Sequence, residues 1–316
     1  MKKTALLFPG QGSQYVGMGQ PFVRKNEKAR KLFAMAEDIS GIPLQQLCFE
    51  GPMEDLTRVL HLQPALTAVN LACHQHLQHL LPDFKPAFVA GHSLGEYSAL
   101  HAAGVLSQED TLRLVTKRGE LMEREGAENP GGMRAVLGLT IAELDEIIDG
   151  YAGDGVAVVA NHNCEKQVVI SGDPQGLDEV STLCGKHGGK VITLKVSVAN
   201  HSPLVSGAVQ DFAAFMDGIA FQQPRISLLF NATAQQEENP AEIRKIMARQ
   251  IASRVRWFEI IQHMVDQGVD IFVELGPKTV LSGLMKKILP RKSEIKCMQA
   301  DTPELIQQVV QEISAS

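Results

Sequence analysis

No two cysteines in this sequence are spaced as C-x-x-C. The five present, Cys48, Cys73, Cys164, Cys184 and Cys297, are scattered and odd in number, which suits a reducing cytoplasm and gives no support for a structural zinc site. Basic residues are not in excess: 30 Lys and Arg stand against 36 Asp and Glu, for a net charge of −6. That balance lacks the basic footprint of a nucleic-acid binder. No apolar run approaches the roughly 18–20 residues that span a bilayer. Met1-Lys2-Lys3 followed by Thr4–Phe8 imitates a signal peptide, but the run stops at Pro9-Gly10, so it reads as a first strand. Repeats and low-complexity tracts are also lacking.

What is present is a core-forming chain. Hydrophobic residues make up 44% of 316 positions and charged residues 21%, enough for about two domains or one large domain with an insert. Short β-like runs alternate with longer helical ones, which predicts an α/β layer fold with a largely parallel sheet. Thr4–Phe8 and Ala87–Ala90 read as strands, and Ala65–Leu81 as a helix opened by Pro64. Leu94–Ala103 is helical, and Ile226–Phe230 and Ile271–Glu274 mark later strands. The segment Glu125–Gly132 clusters Gly, Pro and Asn and reads as a hinge. Beyond it, strands Met133–Leu139, Val156–Ala160, Val168–Ser171 and Val191–Leu194 interleave with helices Ile141–Asp149 and Leu177–Lys186. This βαββαβ order is the ferredoxin-like pattern. The expected architecture is therefore a large α/β-hydrolase-like domain, 1–127 with 197–316, interrupted by a small ferredoxin-like subdomain at 128–196.

The sharpest chemical signal is Gly91-His92-Ser93-Leu94-Gly95, a G-x-S-x-G between a strand and a helix. Such a turn projects a serine hydroxyl clear of the sheet, and the Leu94 amide points to where an oxyanion forms. A serine nucleophile needs a base, and ten histidines are available. His201 follows the insert, although spacing alone gives it little advantage over His162, His187 or His263. A glycine-rich loop, Phe8–Gln14, follows the first strand and fits neither nucleotide fingerprint; on the same rim as the elbow it is a candidate second oxyanion donor. His74, His76 and His79 read as a solvated helix face rather than a metal cluster, and His92 as a structural residue pointing into the sheet. The basic run Lys286, Lys287, Arg291, Lys292 and Lys296 reads either as a solvated helix end or as part of a docking surface.

Together FPGQGSQ (Phe8–Gln14), GHSLGEY (Gly91–Tyr97), Lys117-Arg118-Gly119, His201-Ser202 and Gln250–Ser253 resemble the malonyl-CoA:acyl carrier protein transacylase family, over nearly the whole chain. The resemblance implies Ser93 as nucleophile, His201 as base, and the amides of Gln11 and Leu94 as the oxyanion hole. It implies Gln250 as the group that orients the imidazole, and Arg118 as partner of a malonyl carboxylate. Asn161, Asn163 and Asn231 match polar positions of the family cleft. The implied substrates are malonyl-CoA and a phosphopantetheinylated acyl carrier protein, with no metal or redox cofactor. A monomer is expected, although nothing in the sequence fixes the oligomeric state. The sequence departs from the family at Asn200, where malonyl-selective members usually carry a bulky aromatic, so a substituted malonyl group is an open alternative. Another is a serine thioesterase. Arg254 stands where a proline is common, which would loosen the loop behind His201.

Overall fold

A computed structural model describes residues 2–315. Strand β1 (Thr4–Phe8) is buried along its whole length and occupies the middle of a parallel sheet. Its side chains alternate as a pleat demands: Ala5 and Leu7 enter one apolar cluster, Leu6 and Phe8 the other. On one side β1 pairs with β2 (Phe88–Gly91), in a register that sets Phe8 opposite Gly91. The loops that follow these two strands therefore leave the sheet side by side, and this one feature of register places the glycine-rich loop against the serine turn.

The second sheet is antiparallel and separate. It comprises β3 (Gly132–Leu137), β4 (Ala157–Cys164), β5 (Gln167–Gly172) and β6 (Lys190–Thr193), in the order β4-β5-β3-β6. The parallel sheet is completed by β7 (Ser227–Leu228), β8 (Ile271–Leu275) and β9 (Lys296–Ala300), in the order β7-β2-β1-β8-β9. The chain thus has the expected α/β class, with a parallel sheet and a distinct antiparallel one. Strand β9 escaped sequence analysis because its KCMQA run carries no apolar stretch and lies at the sheet edge.

Several boundaries differ from expectation for identifiable reasons. The first long helix spans Val59–Leu80, so Pro64 lies inside it rather than at its start. A proline in the second turn removes one backbone bond, and the buried face from Leu62 to Leu77 compensates. His74 on that helix is buried between the rings of Phe8 and His101, so the solvated-face reading fails there; only His79 is exposed. The helix Gln108–Glu128 runs through the first half of the expected hinge and buries Glu125, which leaves 129–131 as the connection. Strand β4 continues past the expected end at Ala160 to Cys164, with register shifts at Val159/Asn161 and His162/Cys164, and so carries Asn161 and Asn163. Among the described residues, no helix is long and apolar enough to cross a membrane.

Candidate active site

The serine turn needs its glycines. A Cβ on Gly91 would lie 2.0 Å from the Gly95 backbone, and one on Gly95 would lie 2.0 Å from the Phe8 carbonyl oxygen. Only hydrogen at these positions lets strand, turn and helix (Gly95–Ala102) close so tightly. Ser93 itself has φ +50°, a left-handed conformation that costs a non-glycine residue about 1 kcal/mol or more. The neighbouring loop is equally close, since a Cβ on Gly10 would meet the His92 carbonyl oxygen at 2.4 Å and the Leu94 nitrogen at 3.5 Å. Neither the Gln11 nor the Leu94 amide donates a hydrogen bond among the described residues. Two free N–H groups thus flank the serine.

His201 reaches Ser93 from beyond the antiparallel sheet, with Nε2 2.7 Å from Oγ. Its Nδ1 faces two carbonyl oxygens, Ser253 at 2.9 Å and Gln250 at 3.2 Å. Two acceptors on one side require Nδ1–H, which leaves the Nε2 lone pair to accept the serine proton. Burial, then the positive Arg118, push the imidazole down to about 3, so it is neutral at ordinary pH. The competing histidines lie elsewhere: His162 faces Glu259, His263 packs against Phe88, and His187 is exposed.

Arg118 is not a surface arginine. Its side chain is 2% exposed, and Nη1 donates to Gln63 Oε1 at 2.8 Å. Nη2 lies 3.3 Å from Ser93 Oγ and 3.4 Å from Gln250 Oε1, and the guanidinium sits over the Tyr97 ring. Nε has no partner, and no carboxylate among the described residues lies within ion-pair distance. A buried cation without an anion is costly, so this position favours a ligand that brings one.

The space above Ser93 is a narrow cavity of about 180 Å³. Polar groups enter it from His92, Asn161, Asn163, Asn200 and His201, while Met133, Val169, Leu281 and Leu284 make the walls apolar. It opens into an outer cleft of about 620 Å³, which shares Gln11, Leu194, Val196 and Asn200 with it and is rimmed by Arg58 and Lys195. The larger space holds neither Ser93 nor His201, so it is an approach rather than a reaction chamber.

Three expected roles need correction. Asn231 does not line the cavity; it lies under the turn, where its Oδ1 accepts from Ser93 N–H at 2.7 Å and its Nδ2 donates to Gly91 O at 2.7 Å. His92 does not point away into the sheet. It borders the cavity with Nε2 2.8 Å from Asn163 Oδ1 and its ring edge-on to Trp257. Arg254 does not loosen the loop behind His201, because its guanidinium bonds Asp145 at 2.7 and 3.3 Å and ties that loop to the antiparallel sheet's helix. Sequence reasoning missed Ser253, Gln63 and Glu96. The first acts through its backbone and leaves no side-chain signal. Glu96 could have been noticed as an acid on an otherwise apolar helix; it is wholly buried, and desolvation raises its carboxyl to about 8. In the basic run, Lys287 reaches Gln167 and Lys296 pairs with Glu312, while Lys286, Arg291 and Lys292 are exposed.

A serine hydroxyl with a neutral imidazole at bonding distance, beside two unused amides, is equipment for acyl transfer. Sequence comparison agrees: the family model described as acyl transferase domain matches residues 5–309, and the chain belongs to this family. A malonyl CoA-acyl carrier protein transacylase of Bacillus subtilis (strain 168) is 38% identical over 99% of this chain and 98% of its own length. An acyl carrier protein S-malonyltransferase from Vibrio cholerae superposes with TM-score 0.91 at 34% identity, covering 97% of this chain and 99% of that one. A malonyl-transacylase solved in complex with its type II polyketide acyl carrier protein superposes at 0.92 with 32% identity, covering 98% and 99%.

Proposed function

We propose that the protein moves a malonyl group from malonyl-CoA to the phosphopantetheine thiol of an acyl carrier protein through an ester on Ser93. His201 Nε2 takes the Ser93 proton as Oγ attacks the thioester carbon. The Gln11 and Leu94 amides hold the oxyanion, and the CoA thiolate leaves with the proton from His201. In the second half-reaction the carrier thiol gives its proton to His201, sulfur attacks the ester, and Ser93 regains the proton. Neither half-reaction changes oxidation state, so the protein's own groups suffice. The carboxylate of the malonyl group pairs with Arg118. That pairing also offsets the positive charge that depresses His201, so substrate arrival makes the base stronger. The apolar walls keep water from the ester between steps.

The reading rests on one observation above all: Arg118, buried and without an acid, lies 3.3 Å from the serine oxygen that is itself 2.7 Å from an imidazole. A thioesterase releasing neutral acyl chains has no use for that cation. One feature favours a second reading, a trans-acting polyketide acyltransferase for a substituted malonyl extender. Asn200 borders the cavity with its Oδ1 unpartnered, where a larger or donor-bearing α-substituent fits better than against an aromatic ring. In either case the body at 1–127 and 197–316 reads as α/β-hydrolase-like and the 128–196 insert as ferredoxin-like, acting as a cytoplasmic monomer. Its strand order supports the insert assignment.

Intact-protein mass spectrometry after exposure to a panel of acyl-CoAs tests this. Malonyl adduct on the wild type, stable alone and cleared by holo-carrier protein, is the expected result. An adduct that decays equally fast without carrier protein would make the protein a hydrolase.

A further inference from the structure

Glu96 is the one fully buried acid close to the serine that the proposed mechanism leaves idle. It sits in the first turn of the helix that follows the serine. Its two oxygens do different things. Oε1 accepts from the Asn231 backbone N–H at 2.7 Å, and Oε2 accepts from Gln250 Nε2 at 2.9 Å. Those two residues grip the two peptide groups that flank the Ser93 Cα, one on each side. Asn231 Oδ1 accepts from Ser93 N–H at 2.7 Å, and Gln250 Nε2 also donates to Ser93 O at 2.9 Å. Both amide residues are 1% exposed, so water does not compete. Ser93, at φ +50°, is one of four non-glycine residues in the left-handed region among those described, so its backbone needs holding.

We propose that Glu96 is a positioning residue that fixes the strained Ser93 peptide by anchoring Asn231 and Gln250 against its N–H and C=O. This rests on Ser93 being the nucleophile. The side chain fits the task because each of its two oxygens faces an N–H donor, at 2.7 and 2.9 Å. A glutamine of the same shape offers one acceptor and one NH2 group, so one arm of the clamp would face donor against donor. Displacement of a nucleophile by a fraction of an ångström lowers the rate of the bound complex and leaves binding largely alone.

The test compares wild type, Glu96→Gln, Gln250→Ala and the double variant, with thermal melting as the check on folding and rapid-quench acylation of Ser93 by malonyl-CoA as the readout. Glu96→Gln is expected to slow acylation about 10- to 100-fold with KM changed less than about two-fold. In the Gln250→Ala background the same substitution costs far less, because one arm is already gone. Unchanged acylation in a folded Glu96→Gln, or losses that simply multiply, would overturn the clamp. Amide hydrogen exchange in the wild-type protein needs no variant to fold: Ser93 N–H must exchange as slowly as strand β8, and fast exchange would overturn it equally. Ser93→Ala, run alongside, separates the two readings. An adduct on that variant removes the nucleophile, whereas an adduct-free Ser93→Ala with normal Glu96→Gln removes only the role of Glu96.

Discussion

The two walls of the cleft are built on different principles. On the parallel-sheet side Ser93, His201, Arg118, Gln250, Asn231 and Glu96 are joined by hydrogen bonds of 2.7–3.4 Å into one network. On the antiparallel side Met133, Val169, Leu194 and Val196 present mostly apolar surface, and the main bond to the turn is that from His92 to Asn163. The difference teaches where precision is needed. Bond making demands polar groups held to tenths of an ångström, and they must satisfy one another because water is absent. The opposite wall has only to shape and dry the space, a demand that apolar packing meets without directional bonds.

If that contrast holds, substitutions should hurt in proportion to their place in the network. Ser93→Ala is expected to lower transfer about 10⁴-fold or more and to abolish the covalent adduct, as read by steady-state rates and intact mass. Arg118→Ala should reduce kcat/KM for malonyl-CoA about 100-fold while sparing acetyl-CoA; equal losses for both would detach Arg118 from the carboxylate.

Stability should show the same asymmetry with pH. His74 and His201, both on the parallel-sheet side, are held neutral by burial, at about 3 against an ordinary 6.5. Between these values the unfolded chain binds their protons and the folded chain does not. The contribution of the two histidines is therefore full above about pH 6.5 and falls as the pH drops below it, by about 1.4 kcal/mol per pH unit for each. Glu96, raised to about 8, runs the other way and offsets about one of them, so the net loss between pH 7 and pH 5 is smaller than the histidines alone would give. Denaturant titrations at pH 7 and pH 5 measure this, and equal midpoints would refute it.

Polar residues that border the cavity outside that network should respond more gently. Asn200→Phe is expected to narrow the acyl range, disfavouring substituted malonyl groups in competition assays and leaving malonyl transfer within about ten-fold. Asn163→Ala removes one bond to His92, worth about 1 kcal/mol, so kcat should fall by no more than about five-fold. A larger loss there would mean that the second wall takes part in the chemistry.

Sequence reasoning located the strands of the parallel sheet's centre, the βαββαβ order of the insert and the serine turn, because each rests on local physics. Alternation of apolar residues, glycines where a Cβ cannot fit, and a hydroxyl between strand and helix are all written in adjacent positions. It placed Asn231 in the cavity wall and Arg254 as a loosening residue, and both failed for one reason. A polar side chain's partners lie at distant positions, and residue type alone does not say whether an amide faces ligand or backbone. The start of the Val59–Leu80 helix and the burial of His74 were hidden similarly, since tertiary packing overrode a proline signal and covered an imidazole.

By itself the sequence determined the turn and its hydroxyl, since the steric demands that make them are contained within a few consecutive residues. Only the tertiary structure decided which of ten histidines meets Ser93, that Arg118 lies buried without an acid, and that Glu96 bonds Asn231 and Gln250 beneath the turn. Those outcomes depend on Phe8 standing opposite Gly91 and on the chain returning from the antiparallel sheet, and long-range register is fixed by the packing of the whole core.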